Sequence, residues 1–123
     1  MPNDIAKLRR LMKAAHHLQN NDPAILRGAS LDKSQALHYA WWFEDFRGKL
    51  RTGVFRFSYF KEDGSIREAV GTLNLDYIPE DKRPKGTRKG KVNYATFPYH
   101  DLDRCAWRSF DIRNFIGFVS SVS

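Results

Sequence analysis

A single cysteine, Cys105, among 123 residues leaves no intramolecular disulfide to form, which excludes the stapled scaffolds of small secreted proteins and fits a reducing compartment. Standing alone, it is expected as a small buried hydrophobe. No apolar run approaches the roughly 20 residues that cross a bilayer, and the first residues lack the apolar stretch of a secretory signal. The expected location is therefore the cytoplasm, with no membrane partner. Catalytic motifs are missing too: no nucleophile, acid and base stand at a recognisable spacing, so no catalytic residue is assigned. Gly86-Thr87-Arg88-Lys89-Gly90-Lys91 looks superficially like a phosphate loop, but its glycines are too close and Val92 stands where a Ser or Thr would hold magnesium. His16 and His17 diverge on one helix, His38 and His100 lie in other elements, and one cysteine completes no zinc pattern. The expectation is a non-enzymatic chain with no metal and no cofactor.

What the chain does have is enough apolar material for one modest core, at 41% hydrophobic and 14% aromatic residues, and an excess of positive charge, +7. Such an excess raises the concentration of polyanions near the surface and speeds their encounter. Ile5, Leu8, Met12 and Ala15 recur at helical spacing, with Leu11 and Leu18 widening the stripe and Lys7, Arg9, Arg10 and Lys13 outside it. That amphipathic helix stops at Asn20-Asn21-Asp22-Pro23. A second helix is expected from a Ser30 cap through Arg47, its aromatics (Tyr39, Trp41, Trp42, Phe43, Phe46) implying burial on two sides.

After Gly48 the period changes to two. Phe55, Phe57 and Tyr59 alternate with Val54, Arg56, Ser58 and Phe60, the Asp63-Gly64 turn closes a hairpin, and Ile66 to Leu75 returns, with Gly71 suggesting a bend or bulge. Pro79 to Lys91 is a basic loop, expected to be mobile. Val92 to Pro98 and Ala106 to Ile112 read as further strands separated by a polar turn around His100 to Arg104, and Asn114 to Ser123 as a last strand or helical turn.

Four segments then carry a resemblance. The strand Ile66-Arg67-Glu68-Ala69-Val70-Gly71-Thr72-Leu73 follows an aromatic strand and a Lys-x-Asp-Gly turn. Tyr99-His100-Asp101-Leu102 and Trp107-Arg108-Ser109-Phe110 come later, and Gln35 to Trp41 is similar to the helix that often precedes such strands. Together they resemble the small WYL-like, Sm-like SH3 β-barrel proteins found mainly in Bacteroidota and their mobile elements. Either Tyr94 or Tyr99 stands for that group's tyrosine. The resemblance implies an α+β protein: an N-terminal helical pair (1–48) packed on a small, partly open, five-stranded antiparallel barrel (49–123). It also implies regulation through a nucleic acid or a nucleotide-like ligand.

The candidate binding residues follow from charge and from this resemblance. Arg67 and Arg108 lie in strands among apolar neighbours, where a guanidinium needs a carboxylate or an anionic ligand. Glu68 and Asp101 are available as internal partners, so both readings stand. Trp107 belongs either to the core or, beside the arginines, to a stacking platform with Tyr99. Lys82, Arg83, Lys85, Arg88, Lys89 and Lys91 form either a solvated loop or an arm that tracks phosphates. The leading expectation is a nucleic-acid-binding or regulatory accessory protein. Alternatives are a sensor or sponge for a small anionic nucleotide-like ligand, and a protein-interaction module, for which self-association would be the sign.

Overall fold

The structure is a computed structural model that describes residues 2–21, 23, 24, 30–84 and 95–122. Helix α1 (Pro2–Asn20) and helix α2 (Lys33–Leu50) precede five strands: β1 (Val54–Phe60), β2 (Ile66–Thr72), β3 (Thr96–Asp101), β4 (Ala106–Asp111) and β5 (Phe115–Val122). All neighbours are antiparallel in the order β4-β3-β2-β1-β5. Strands β1 to β4 form a meander, and β5 returns to the free side of β1, as expected for a small, partly open barrel.

The second helix starts later than Ser30. The Asp32 carboxylate accepts from the Gln35 N–H at 2.8 Å, and the Gln35 side chain accepts from the Asp32 N–H at 3.0 Å. This reciprocal box satisfies two amides that a lone serine would leave to water. At the other end, the buried Thr72 hydroxyl lies 2.6 Å from the Gly53 carbonyl and accepts from the Asn74 N–H, tying β2 to the chain that leaves α2.

Helix α2 sits at the centre, as its aromatics imply. Ala36, Ala40, Phe43, Phe46 and Leu50 are buried on it, and they join Leu11, Ala15 and Leu18 of α1 and the sheet interior in one continuous core. Phe46 stacks on Phe97 and meets Phe57 edge-on, both at 5.4 Å between centroids. Phe97 in turn stacks on Phe110 at 5.2 Å, and Phe110 on Phe115 at 5.7 Å. Rings from both ends of the sheet order therefore meet in the interior, which the sheet can achieve only by curling.

Several expectations are corrected here. The stripe Ile5, Leu8 and Met12 is not buried: these side chains are 60%, 54% and 55% exposed, and α1 docks instead through Leu11, Ala15 and Leu18. Trp41 on α2 is half exposed as well. Gly71 makes no bulge, since it pairs in unbroken register with Phe55 and Asp101. Its missing side chain answers to a close approach, because a Cβ there would fall 2.6 Å from the Tyr99 ring. The register shifts occur between β1 and β5, at Arg56/Phe57 and Ser58/Tyr59. His100 and Asp101 belong to β3, not to the turn, and are wholly buried. Cys105 is not buried but exposed in the β3–β4 turn, where the chain reverses through left-handed backbone at φ 50°. No helix among the described residues is long and apolar enough to cross a membrane.

Candidate anion-binding cleft

Strand alternation decides which side chains share a face. Arg67 lies opposite Tyr59 across β1–β2, and Arg108 lies opposite Tyr99 across β3–β4. Directly opposed residues project to the same side of a sheet, so both arginines belong to the inner face that carries the aromatic core. Tyr59 and Tyr99 join their hydroxyls there at 2.7 Å. Burial, reinforced by that hydrogen bond, pushes the Tyr99 phenol well above its ordinary range, so it stays neutral. The interior thus runs from packed rings, through a hydroxyl pair, to two guanidinium groups.

Beyond the hydroxyls the barrel opens into a cleft of about 680 Å³ between the β1–β2 turn and the segment that ends β4. Tyr59 and Phe110 are among its lining residues, together with Lys61, Arg67, Arg108 and Arg113. Three carboxylates also line it, and two of them are already engaged. Asp111 accepts from His17 of α1 at 2.8 Å and lies 3.6 Å from Arg113. Asp63 is held by the Ser65 hydroxyl and amide, and these hydrogen bonds, the hydroxyl's first, keep its carboxyl below the usual carboxylate range. Glu62 lies exposed on the turn.

The two arginines differ in what they meet. Arg108 Nε lies 3.3 Å from Asp101, whose fully buried carboxylate also takes Arg104 at 3.3 Å and the amides of Asp103 and Arg104. Asp101 therefore caps the β3–β4 turn and forms an ion pair with Arg108, whose Nε is nonetheless buried without a hydrogen bond. Arg67 has no such anchor among the described residues. Glu68 follows it directly in the strand and so projects to the opposite, exposed side. The Arg67 Nη1 atom is buried without a hydrogen-bond partner.

Of the remaining candidates among the described residues, the structure brings Trp107 to the cleft lining and the others elsewhere. Trp107 is opposite His100 in the register, so its ring turns to the outer face of the sheet. There it meets His100 edge-on at 5.5 Å and donates its indole N–H to the Lys82 carbonyl at 2.6 Å. At 37% exposure it is not core, and it contributes to the lining of the cleft that holds Arg67 and Arg108. Tyr99 is wholly buried and so is not presented to a partner. Lys82 is exposed, while Arg83 donates to the Ile78 carbonyl at 3.1 Å. Lys85, Arg88, Lys89 and Lys91 lie outside the described residues, as does the expected mobility of most of that loop. No group of three or more metal-ligating side chains occurs among the described residues.

The sequence reading missed Lys61 and Arg113 as members of the cleft. Lys61 is legible as the residue entering the Asp-Gly turn. Arg113 follows Asp111, whose side chain accepts from the Arg113 N–H to open a one-turn helix, Ile112–Asn114, and nothing in periodicity announces that turn.

Comparison with known proteins agrees with this architecture. The model of the family described as WYL_2, Sm-like SH3 beta-barrel fold, matches residues 43–116. An uncharacterized 11.5 kDa protein of Enterobacteria phage T4, from the Gp31-cd intergenic region, is 34% identical over 76 residues, covering 59% of this chain and 72% of its own. No solved structure matches. With more than half its length matched, from the second half of α2 to the start of β5, the chain belongs to the WYL_2 family of Sm-like SH3 β-barrels.

Proposed function

We propose that the chain is a non-enzymatic accessory protein that binds nucleic acid through phosphate contacts in the inner-face cleft. The observation that carries this is a pair of buried guanidinium nitrogens without hydrogen-bond partners, Arg67 Nη1 and Arg108 Nε, on two arginines that line one cleft. A buried donor left unsatisfied costs about 1–3 kcal/mol, and more on a charged group. An anionic oxygen in the cleft would supply the missing acceptor. Arg108, held by Asp101, is preset beside it, and Lys61 and Arg113 add positive charge at the cleft walls.

The basic segment that starts at Lys82 supports a polymer rather than a lone phosphate. Its first residue, Lys82, is held by its carbonyl to the Trp107 indole, on the strand that carries Arg108. Each phosphate neutralised releases counterions and adds affinity without reading sequence. The Sm-like SH3 barrel itself supports a binding or regulatory role, although a fold hosts many functions and the site must decide.

The test is fluorescence anisotropy with labelled single- and double-stranded DNA and RNA at two salt concentrations. Salt-sensitive binding that weakens in Arg67→Ala, and again when Lys82, Arg83, Lys85, Arg88 and Lys89 are neutralised, is the expected result. Binding indifferent to salt and to both variants would remove the proposal. The confined Arg67 site favours one second reading, a nucleotide-like small anion, which predicts a rise in melting temperature with mononucleotides and no binding of oligonucleotides.

A further inference from the structure

The apolar stripe of α1 that the fold leaves uncovered is a second surface, and it shares no residue with the cleft. Leu8 and Met12 of α1 and Leu37 of α2 line a shallow groove of about 710 Å³ between the two helices. Ile5 continues it toward the start of α1, and half-exposed Trp41 stands one turn beyond Leu37. Ile5, Leu8 and Met12, at spacings of three and four, form a continuous stripe on one helix face. Large exposed apolar side chains gathered in this way mark contact surfaces more often than scattered ones do. Residues before 43 lie outside the family match, so nearly all of this surface belongs to the helical segment rather than to the shared barrel.

The groove's charge selects its occupant. Lys13, His16 and Lys33 line it, no carboxylate is among its described lining residues, and the Lys7 ammonium sits 4.6 Å over the Trp41 ring. Exposed Arg9 lies one residue from Leu8. Two copies of the chain joined through this face would bring these cations together, and like charges in apposition oppose association. A concave seam between two helices accepts a third helix, whereas a bilayer surface is met by a convex ridge. We infer that this groove docks an amphipathic helix of another protein, with apolar residues at helical spacing and acidic residues on its flanks.

The experiment titrates the full chain with a labelled synthetic helix carrying leucines at i, i+3, i+4 and i+7 flanked by glutamates, and with the same peptide flanked by lysines. The acidic peptide should bind saturably, and Leu8→Glu combined with Met12→Glu should weaken it by about tenfold or more. Because those positions are exposed, the variant's melting temperature should be unchanged. Arg9→Glu with Lys33→Glu, which leaves the apolar stripe intact, should reverse the preference to the lysine-flanked peptide. Equal binding of both peptides, no saturable binding, or binding untouched by these variants would overturn the proposal. So would dimerisation of the unmodified chain that Leu8→Glu and Met12→Glu abolish, or binding to anionic phosphatidylglycerol vesicles in preference to the peptide. Failure of nucleic-acid binding leaves this result unaffected, since the two surfaces have no residue in common.

Discussion

The two inner-face arginines occupy matching register positions, each opposite a buried tyrosine, yet only one has a carboxylate partner among the described residues. Arg108 is tied to a carboxylate that also closes the β3–β4 turn, so its charge is part of the scaffold. Each has a buried nitrogen without a hydrogen bond, Arg67 Nη1 and Arg108 Nε, but Arg67 forms no ion pair among the described residues. The difference teaches where to separate stability from function: Asp101 and its arginines, with the aromatic core behind them, should govern folding, and Arg67 should govern binding.

The largest stability effect belongs to the core behind both arginines. Phe46→Ala removes the ring that links α2 to Phe57 and Phe97, and should cost about 3–5 kcal/mol in denaturant unfolding. A loss under about 1 kcal/mol would mean the helices are a loose appendage and the comparison rests on the wrong core. Next comes Asp101→Asn, which strips charge from a fully buried group serving two arginines. Removing one partner of a wholly buried pair costs about 3–5 kcal/mol; because both arginines are partly exposed, about 2 kcal/mol is expected here. Arg67→Ala should by contrast leave stability within about 0.5 kcal/mol or raise it. Equal losses in the two variants would erase the distinction. Tyr99→Phe should cost about 1 kcal/mol by leaving the Tyr59 hydroxyl without its partner.

The smallest effect is a pH dependence. His100 is wholly buried with no partner at either ring nitrogen, and burial holds it below its ordinary value of 6.5 despite the neighbouring Asp101. The unfolded chain therefore binds the proton more readily, so stability from this group is present above about pH 6.5 and falls as pH drops below it. His100→Asn should flatten the decline of melting temperature between about pH 7 and 5 relative to the parent. An unchanged slope would assign the decline to other groups.

Much of this was legible in the sequence, and the exceptions have physical reasons. The period-two run from Val54 to Phe60 and the Asp63-Gly64 turn specify β1 and its hairpin. Arg67 and Glu68, as consecutive strand residues, must face opposite ways, so their pairing was excluded by alternation alone. The same rule separates Trp107 from Arg108. The α1 stripe misled because Leu11 and Leu18 lie about a quarter-turn from Ile5, Leu8 and Met12: periodicity shows that one side is apolar, and only packing shows which part of it is used. Gly71 and Cys105 depend on tertiary and turn geometry, the one on the Tyr99 ring and the other on a positive φ, neither of which local sequence encodes. Arg113 enters the cleft through a single Asx-capped turn, too short to leave a periodic trace.

The most direct test measures Arg67→Ala twice, by melting temperature and by anisotropy titration with a labelled single-stranded oligonucleotide, beside Asp101→Asn as the structural control. The account predicts an unchanged or higher melting temperature for Arg67→Ala, an affinity at least about tenfold weaker, and a salt slope reduced by about 0.7 for the one lost phosphate contact. A lowered melting temperature with affinity unchanged would contradict it, showing Arg67 to be part of the scaffold and the cleft to be no binding site.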